Sequence, residues 1–91
     1  MLMLAQIDLS CADLALFEEY EAKVLALLKR YGARLEERLR STDGTAELHL
    51  LYFPDAASLA AFRGDPVRAS AQSLWEQSGA SSTLTEVARL R

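Results

Sequence analysis

Residues 33–40, ARLEERLR, then the turn STDG at 41–44, then residues 45–53, TAELHLLYF, form the stretch whose reading decides the fold. Its apolar residues recur with a period of two, as a strand requires. Leu35 and Leu39 share one face with Ala33 and Glu37, while Arg34, Glu36, Arg38 and Arg40 take the other. Asp43-Gly44 is the dipeptide of a type I′ hairpin turn, in which both central residues need positive φ. A two-residue or a four-residue loop gives one register. Arg40 then faces Glu47, Arg38 faces His49, Glu36 faces Leu51 and Arg34 faces Phe53. On the opposite face Leu39 meets Leu48, Glu37 meets Leu50 and Leu35 meets Tyr52. A three-residue loop would flip one strand. The hairpin therefore carries one apolar face and one mixed, charged face.

Upstream, residues 2–9 read as a strand, and Ser10 offers a helix cap with Asp13 in capping-box spacing. Leu9 and Leu14 are placed to form the hydrophobic staple. Phe17, Tyr20, Val24, Leu27, Leu28 and Tyr31 then recur at steps of three or four, and Gly32 supplies a left-handed stop. Downstream, Pro54 ends the strand and Asp55 caps a short helix through Leu59 and Phe62, stopped by Gly64. Asp65-Pro66 starts a second helical segment with the stripe Val67, Ala71, Leu74, Trp75, ended by Gly79. Residues 82–90 read as the last strand.

The resulting order, β-α-β-β-α-β, is the α+β, ferredoxin-like pattern: a four-stranded antiparallel sheet with both helices on one face. It accounts for residues 1–91 as a single domain. The mixed face bearing Arg34, Arg38, Glu47, His49, Leu51 and Phe53 is expected on the side away from the helices. A second copy of the sheet would cover it there.

The composition bounds the function. With 17 Leu and 15 Ala but only three Val and one Ile in 91 residues, it would suit a helical bundle, but the alternation at 33–40, the Asp43-Gly44 turn and the caps at Ser10 and Gly32 overrule that. Ten basic residues against thirteen acidic ones give a net charge of −3, against the basic surplus that nucleic-acid binding draws on. No apolar run approaches the ~20 residues of a membrane span. The opening MLMLAQIDLS lacks the basic start of a signal peptide, so a cytoplasmic, bacterial-style protein with no membrane partner is expected. The single Cys11 leaves no internal disulfide.

The run Phe17-x-x-Tyr20-Glu21, then Tyr31-Gly32-Ala33-Arg34, then Leu51-Tyr52-Phe53-Pro54-Asp55 resembles the dimeric α+β barrel superfamily. Within it the likeness is to small bacterial proteins of the kind called domain of unknown function 1330. The resemblance implies a homodimer whose two sheets pack face to face. Relatives there include cofactor-free monooxygenases, haem-degrading enzymes, isomerases and proteins with no known activity.

Candidate chemistry centres on His49, the only histidine and so the natural general base. The alternative is a strand histidine filling a semi-polar face. Arg34, Arg38 and Arg40 could grip a carboxylate or phenolate through forked hydrogen bonds, or else pair with Glu36 and Glu47. Tyr20, Tyr31 and Trp75 read as core at helical spacing, with a pocket between helices and sheet as the alternative. The candidate catalytic residues are thus His49, Arg38 and Arg34, and the candidate ligand-binding residues Arg34, Arg38, His49, Phe53 and Trp75. One histidine with no second ligand at a recognised spacing is no metal signature, and no cofactor or metal is expected. The first reading is a small homodimer that binds a small anionic organic molecule at the sheet face. The second is a cofactor-independent monooxygenase or isomerase acting on an aromatic or lactone substrate.

Overall fold

The computed structural model describes residues 1–91, and its hairpin is closed by a four-residue loop rather than by a type I′ turn. Gly44 alone among the loop residues has positive φ, at 79°. Asp43 instead keeps a negative φ and accepts hydrogen bonds from Ser41 Oγ, Thr45 N and Thr45 Oγ1. Those three bonds hold its carboxyl down to about 2. Because two and four loop residues share a register, strands β2 (Arg34–Arg40) and β3 (Ala46–Tyr52) pair Arg40 with Glu47, Leu39 with Leu48 and Arg38 with His49.

The register then shifts by one residue between Leu35 and Glu37, so that Leu35 faces Leu51 and Arg34 faces Tyr52. This β-bulge swaps the faces of everything before it. Leu35 turns toward the core, where it packs against the buried apolar cluster. Arg34 turns the other way, with its guanidinium 4.1 Å from the centre of the Tyr52 ring. The expected pairs of Arg34 with Phe53 and Glu36 with Leu51 are not formed.

Strand β1 (Leu2–Asp8) runs antiparallel between β3 and the last strand, β4 (Ser81–Val87), giving the order β2-β3-β1-β4. Strands β2 and β4 are free edges, so the sheet is open. The barrel expected from the family resemblance is overturned by this: four strands with two unpaired edges do not close.

The helical layer begins with α1 (Leu14–Leu25), capped by Asp13 rather than Ser10, through its side chain to Leu16 N. Phe17, Tyr20, Glu21 and Val24 form its buried stripe. A 3-10 turn, Leu28–Tyr31, replaces the expected last helical turns, and Gly32 at φ 65° ends it. Asp55 caps α2 (Ala56–Arg63), and Asp65 caps α3 (Pro66–Ser70). The second helical segment is broken at Ala71, whose backbone N–H bonds back within α3, and resumes as α4 (Gln72–Ser78) up to Gly79 at φ 77°. The main core joins Met3, Leu51 and Phe53 of the sheet to Tyr20, Val24 and Phe62 of the helices. No helix is long and apolar enough to cross a membrane.

One expectation about the faces is reversed. The helices cover the side of the sheet that carries Glu47, His49, Leu51 and Phe53, all four buried. The other side exposes Leu39 and Leu48, with Leu4, Leu50 and Tyr52 half-buried around them. Leu51 and Phe53 decide the matter, because Phe53 has no exposed surface and seats against Phe62 with ring centres 5.5 Å apart. Strand alternation then carries Glu47 and His49 inward on the same face.

Candidate functional site

Burying Glu47 and His49 requires that their polar atoms be answered inside. Glu47 is answered by three residues. It accepts from Arg38 Nε at 3.0 Å, from Arg40 Nε at 2.9 Å and Nη2 at 2.6 Å, and it meets His49 Nε2 at 2.5 Å. Arg38 and Arg40 also bind Glu18 on α1, tying the edge strand to the helix. Burial opposes ionisation of Glu47, but the hydrogen bonds from His49, Arg38 and Arg40 outweigh it and hold its carboxyl below the usual range. Glu47 is therefore a fixed anion behind His49.

The other ring nitrogen of His49 looks into the molecule. Nδ1 lies 3.9 Å from Oε2 of Glu21, and both side chains are more than nine-tenths buried. Glu21 stands one turn from Phe17 and from Val24, on the apolar stripe of α1. Burial, then the charge of Glu47, pushes its carboxyl up to about 7. Loss of hydration disfavours the anion most, and a like charge adds to it. At neutral pH such a group is divided between base and acid, the condition general acid–base work calls for.

Glu21 and His49 line one wall of a cavity of about 280 Å³ between sheet and helices. The floor is Ala5, Ile7, Leu51 and Phe53, and small Ala5 opposite His49 leaves the room. Aromatic rings close two sides: Phe62 against Phe53, and Trp75 against Tyr20 with centres 5.1 Å apart. Arg63, Arg68 and Gln72 add the polar rim, and Leu84 of the edge strand β4 is part of the wall. The volume lies near the lower end of the ~300–1,000 Å³ of small-molecule sites, and the lining is mostly apolar with few polar groups, as such sites are.

Among the residues proposed from sequence, His49, Phe53 and Trp75 line this cavity. Arg38 sits behind it, turned to Glu47 and Glu18. Arg34 is on the opposite side of the sheet, put there by the bulge, and pairs with Glu36. Tyr20 reaches the cavity too, whereas Tyr31 does not and donates instead to buried Asp65. Sequence reasoning passed over Glu21 and Arg68. The signal for Glu21 was a carboxylate at a core position, three and four residues from apolar partners. Arg68 carried none, since its stripe is broken at Ala71.

No protein-family model matches the chain. No curated protein matches it either. Solved structures do. SnoaB from Streptomyces nogalater, a cofactor-independent oxygenase, superposes with a TM-score of 0.71 at 16% identity, over 98% of this chain and 93% of that one. A proposed antibiotic biosynthesis monooxygenase from Caulobacter crescentus matches with 0.69 at 18%, over 97% and 89%. A dimeric ferredoxin-like protein of unknown function from Jannaschia matches with 0.67 at 17%, over 96% and 100%. The resemblance drawn from sequence is corrected accordingly. The chain is a ferredoxin-like α+β domain with an open sheet, similar in fold to SnoaB and to the Caulobacter protein, and neither the barrel nor the likeness to domain of unknown function 1330 stands. At such identities, what the chain shares with these proteins is the fold.

Proposed function

We propose that the chain is a cofactor-independent oxygenase acting on a small aromatic carbon acid held in the cavity between sheet and helices. One observation carries this reading: a carboxyl pushed up to about 7, that of Glu21, faces an apolar, aromatic-lined cavity beside His49. The likeness in fold to SnoaB supports it as analogy.

In this reading Glu21 removes a proton from a methylene flanked by a ring and a carbonyl. The resulting carbanion is itself the reductant. It passes one electron to dioxygen, and the radical pair combines to a peroxide at that carbon. Glu21 returns its proton to the peroxide, and loss of water leaves a ketone, so methylene and dioxygen become carbonyl and water. His49, anchored from behind by Glu47, turns Nδ1 toward Glu21 and fixes that side of the cavity.

Oxygen consumption with anthrone as the probe tests this. The native chain should consume oxygen faster than buffer, and Glu21→Gln should lose ~10²–10⁴-fold, the usual worth of a general base. Equal rates for buffer, native chain and Glu21→Gln would overturn the reading.

The exposed sheet face bearing Leu39, Leu48, Leu50 and Tyr52 supports a partner as well. We infer that a second copy of the chain covers it. The related Jannaschia structure is described as dimeric, and a contiguous apolar sheet face left in water is unusual.

A further inference from the structure

Arg68 makes no salt bridge within the chain, although its charge is felt by Glu21 and Tyr20 across the cavity. Its side chain lines the cavity beside Phe62, with the guanidinium 5.6 Å from the ring centre. Nη1 donates to the backbone carbonyl of Arg63 at 3.1 Å. Nε is fully buried and has no partner. The Nε–Nη2 edge is the one that offers two parallel N–H groups to a carboxylate. A buried donor left unmade is costly, so a fold that keeps one at a cavity wall has something to gain when a ligand completes it.

We propose that Arg68 binds a carboxylate on the ligand of this cavity, through the Nε–Nη2 edge. The ligand class is an aromatic monocarboxylate, its ring between Phe62, Phe53 and Trp75 and its anion at Arg68. The inference rests on the reading of the cavity as a ligand site and adds the charge of the ligand to it. Arg63 on the rim supplies a second positive charge. The other titratable groups that face the space are Tyr20 and Glu21 on α1 and His49 on β3. Only Glu21 among these would repel the anion, and Arg68, whose charge also favours the Glu21 anion, offsets that repulsion.

The test uses 2-naphthoate and its neutral analogue 2-naphthamide, read by quenching of Trp75, the only tryptophan and a cavity wall. The native chain should bind naphthoate about tenfold or more tightly than naphthamide, the value of a forked charged pair over a neutral one. Arg68→Gln should erase the preference and leave naphthamide binding as it was. Arg68→Lys, which keeps a charge but not the fork, should fall between. If Arg68→Gln fails to give a native circular dichroism spectrum, Arg68→Lys decides by itself: an unreduced preference overturns the proposal. Equal binding of both probes by the native chain overturns it while the cavity reading stands. Binding of neither probe removes both.

Discussion

His49 Nδ1 faces Oε2 of Glu21 at 3.9 Å while its other nitrogen is held at 2.5 Å by Glu47, so one ring stands between two buried carboxyls of opposite tendency. Glu47 is kept ionised by hydrogen bonds from His49, Arg38 and Arg40, and Glu21 is driven toward its neutral form by burial. The pair of environments separates the two glutamates into an anchor and a titrating group, as acid–base sites do.

The first consequence is a stability that falls with pH. The carboxyl of Glu21 rises from 4.5 to about 7 on folding, so the native state binds more protons than the unfolded chain between those values. Its contribution is fully present below pH 4.5 and is lost as pH climbs through about 7. The size is about 3 kcal/mol, at roughly 1.4 kcal/mol per pH unit. Glu21→Gln should flatten urea midpoints between pH 5 and pH 8 and be the more stable protein at pH 8. A variant less stable than the native chain at pH 8 would contradict it.

Glu47 acts in the opposite sense. Its carboxyl is held below the usual value, so its contribution is present above about pH 4.5 and is lost as pH falls further. Glu47→Gln should cost about 1–3 kcal/mol at pH 7, because Arg38 and Arg40 lose a buried acceptor. The cost should shrink toward pH 3 in chemical denaturation. A cost unchanged with pH would show that packing, not charge, sets it.

Arg34 separates the two faces of the sheet. It stacks on Tyr52 and pairs with Glu36, away from the cavity, so Arg34→Ala should change stability by less than about 1 kcal/mol. Its binding of 2-naphthoate should equal that of the native chain. A tenfold loss there would mean that the bulge is misplaced.

The exposed face gives a prediction of mass. Leu39 is 56% exposed and Leu48 38% exposed beside each other on paired strands. Light scattering on the native chain at micromolar concentration should give twice 10.1 kDa, and Leu48→Arg should give 10.1 kDa with an unchanged circular dichroism spectrum. A native monomer would remove the inferred dimer.

The elements were legible from local chemistry. Gly32 and Gly79 end their segments with positive φ, and Asp55 caps as its place before Ala56 implies. The hairpin register next to the loop, from Arg40 opposite Glu47 to Glu37 opposite Leu50, followed from the parity of that loop. What sequence could not give was the face. Leu48, Leu50 and Tyr52 are as apolar as Leu51 and Phe53, so alternation alone left β3 free to turn either way. Counting charges assigned Glu47 and His49 to the outside, yet both are buried, and the Glu47 carboxylate is satisfied by His49 and by the half-exposed side chains of Arg38 and Arg40. The bulge at Glu36, which has no signal in RLEERLR, then parted Arg34 from Arg38. Glu21 was missed for a related reason: a charged residue on a helix is read as surface, and here it is the cavity wall.

The most direct measurement is the pH dependence of carbon–deuterium exchange at the methylene of anthrone, without oxygen, for the native chain and Glu21→Gln. Exchange catalysed by the native chain should rise through an apparent pKa of about 7 and be lost in the variant. Exchange no faster than in buffer, or equally fast in Glu21→Gln, would contradict the assignment of Glu21 as the base.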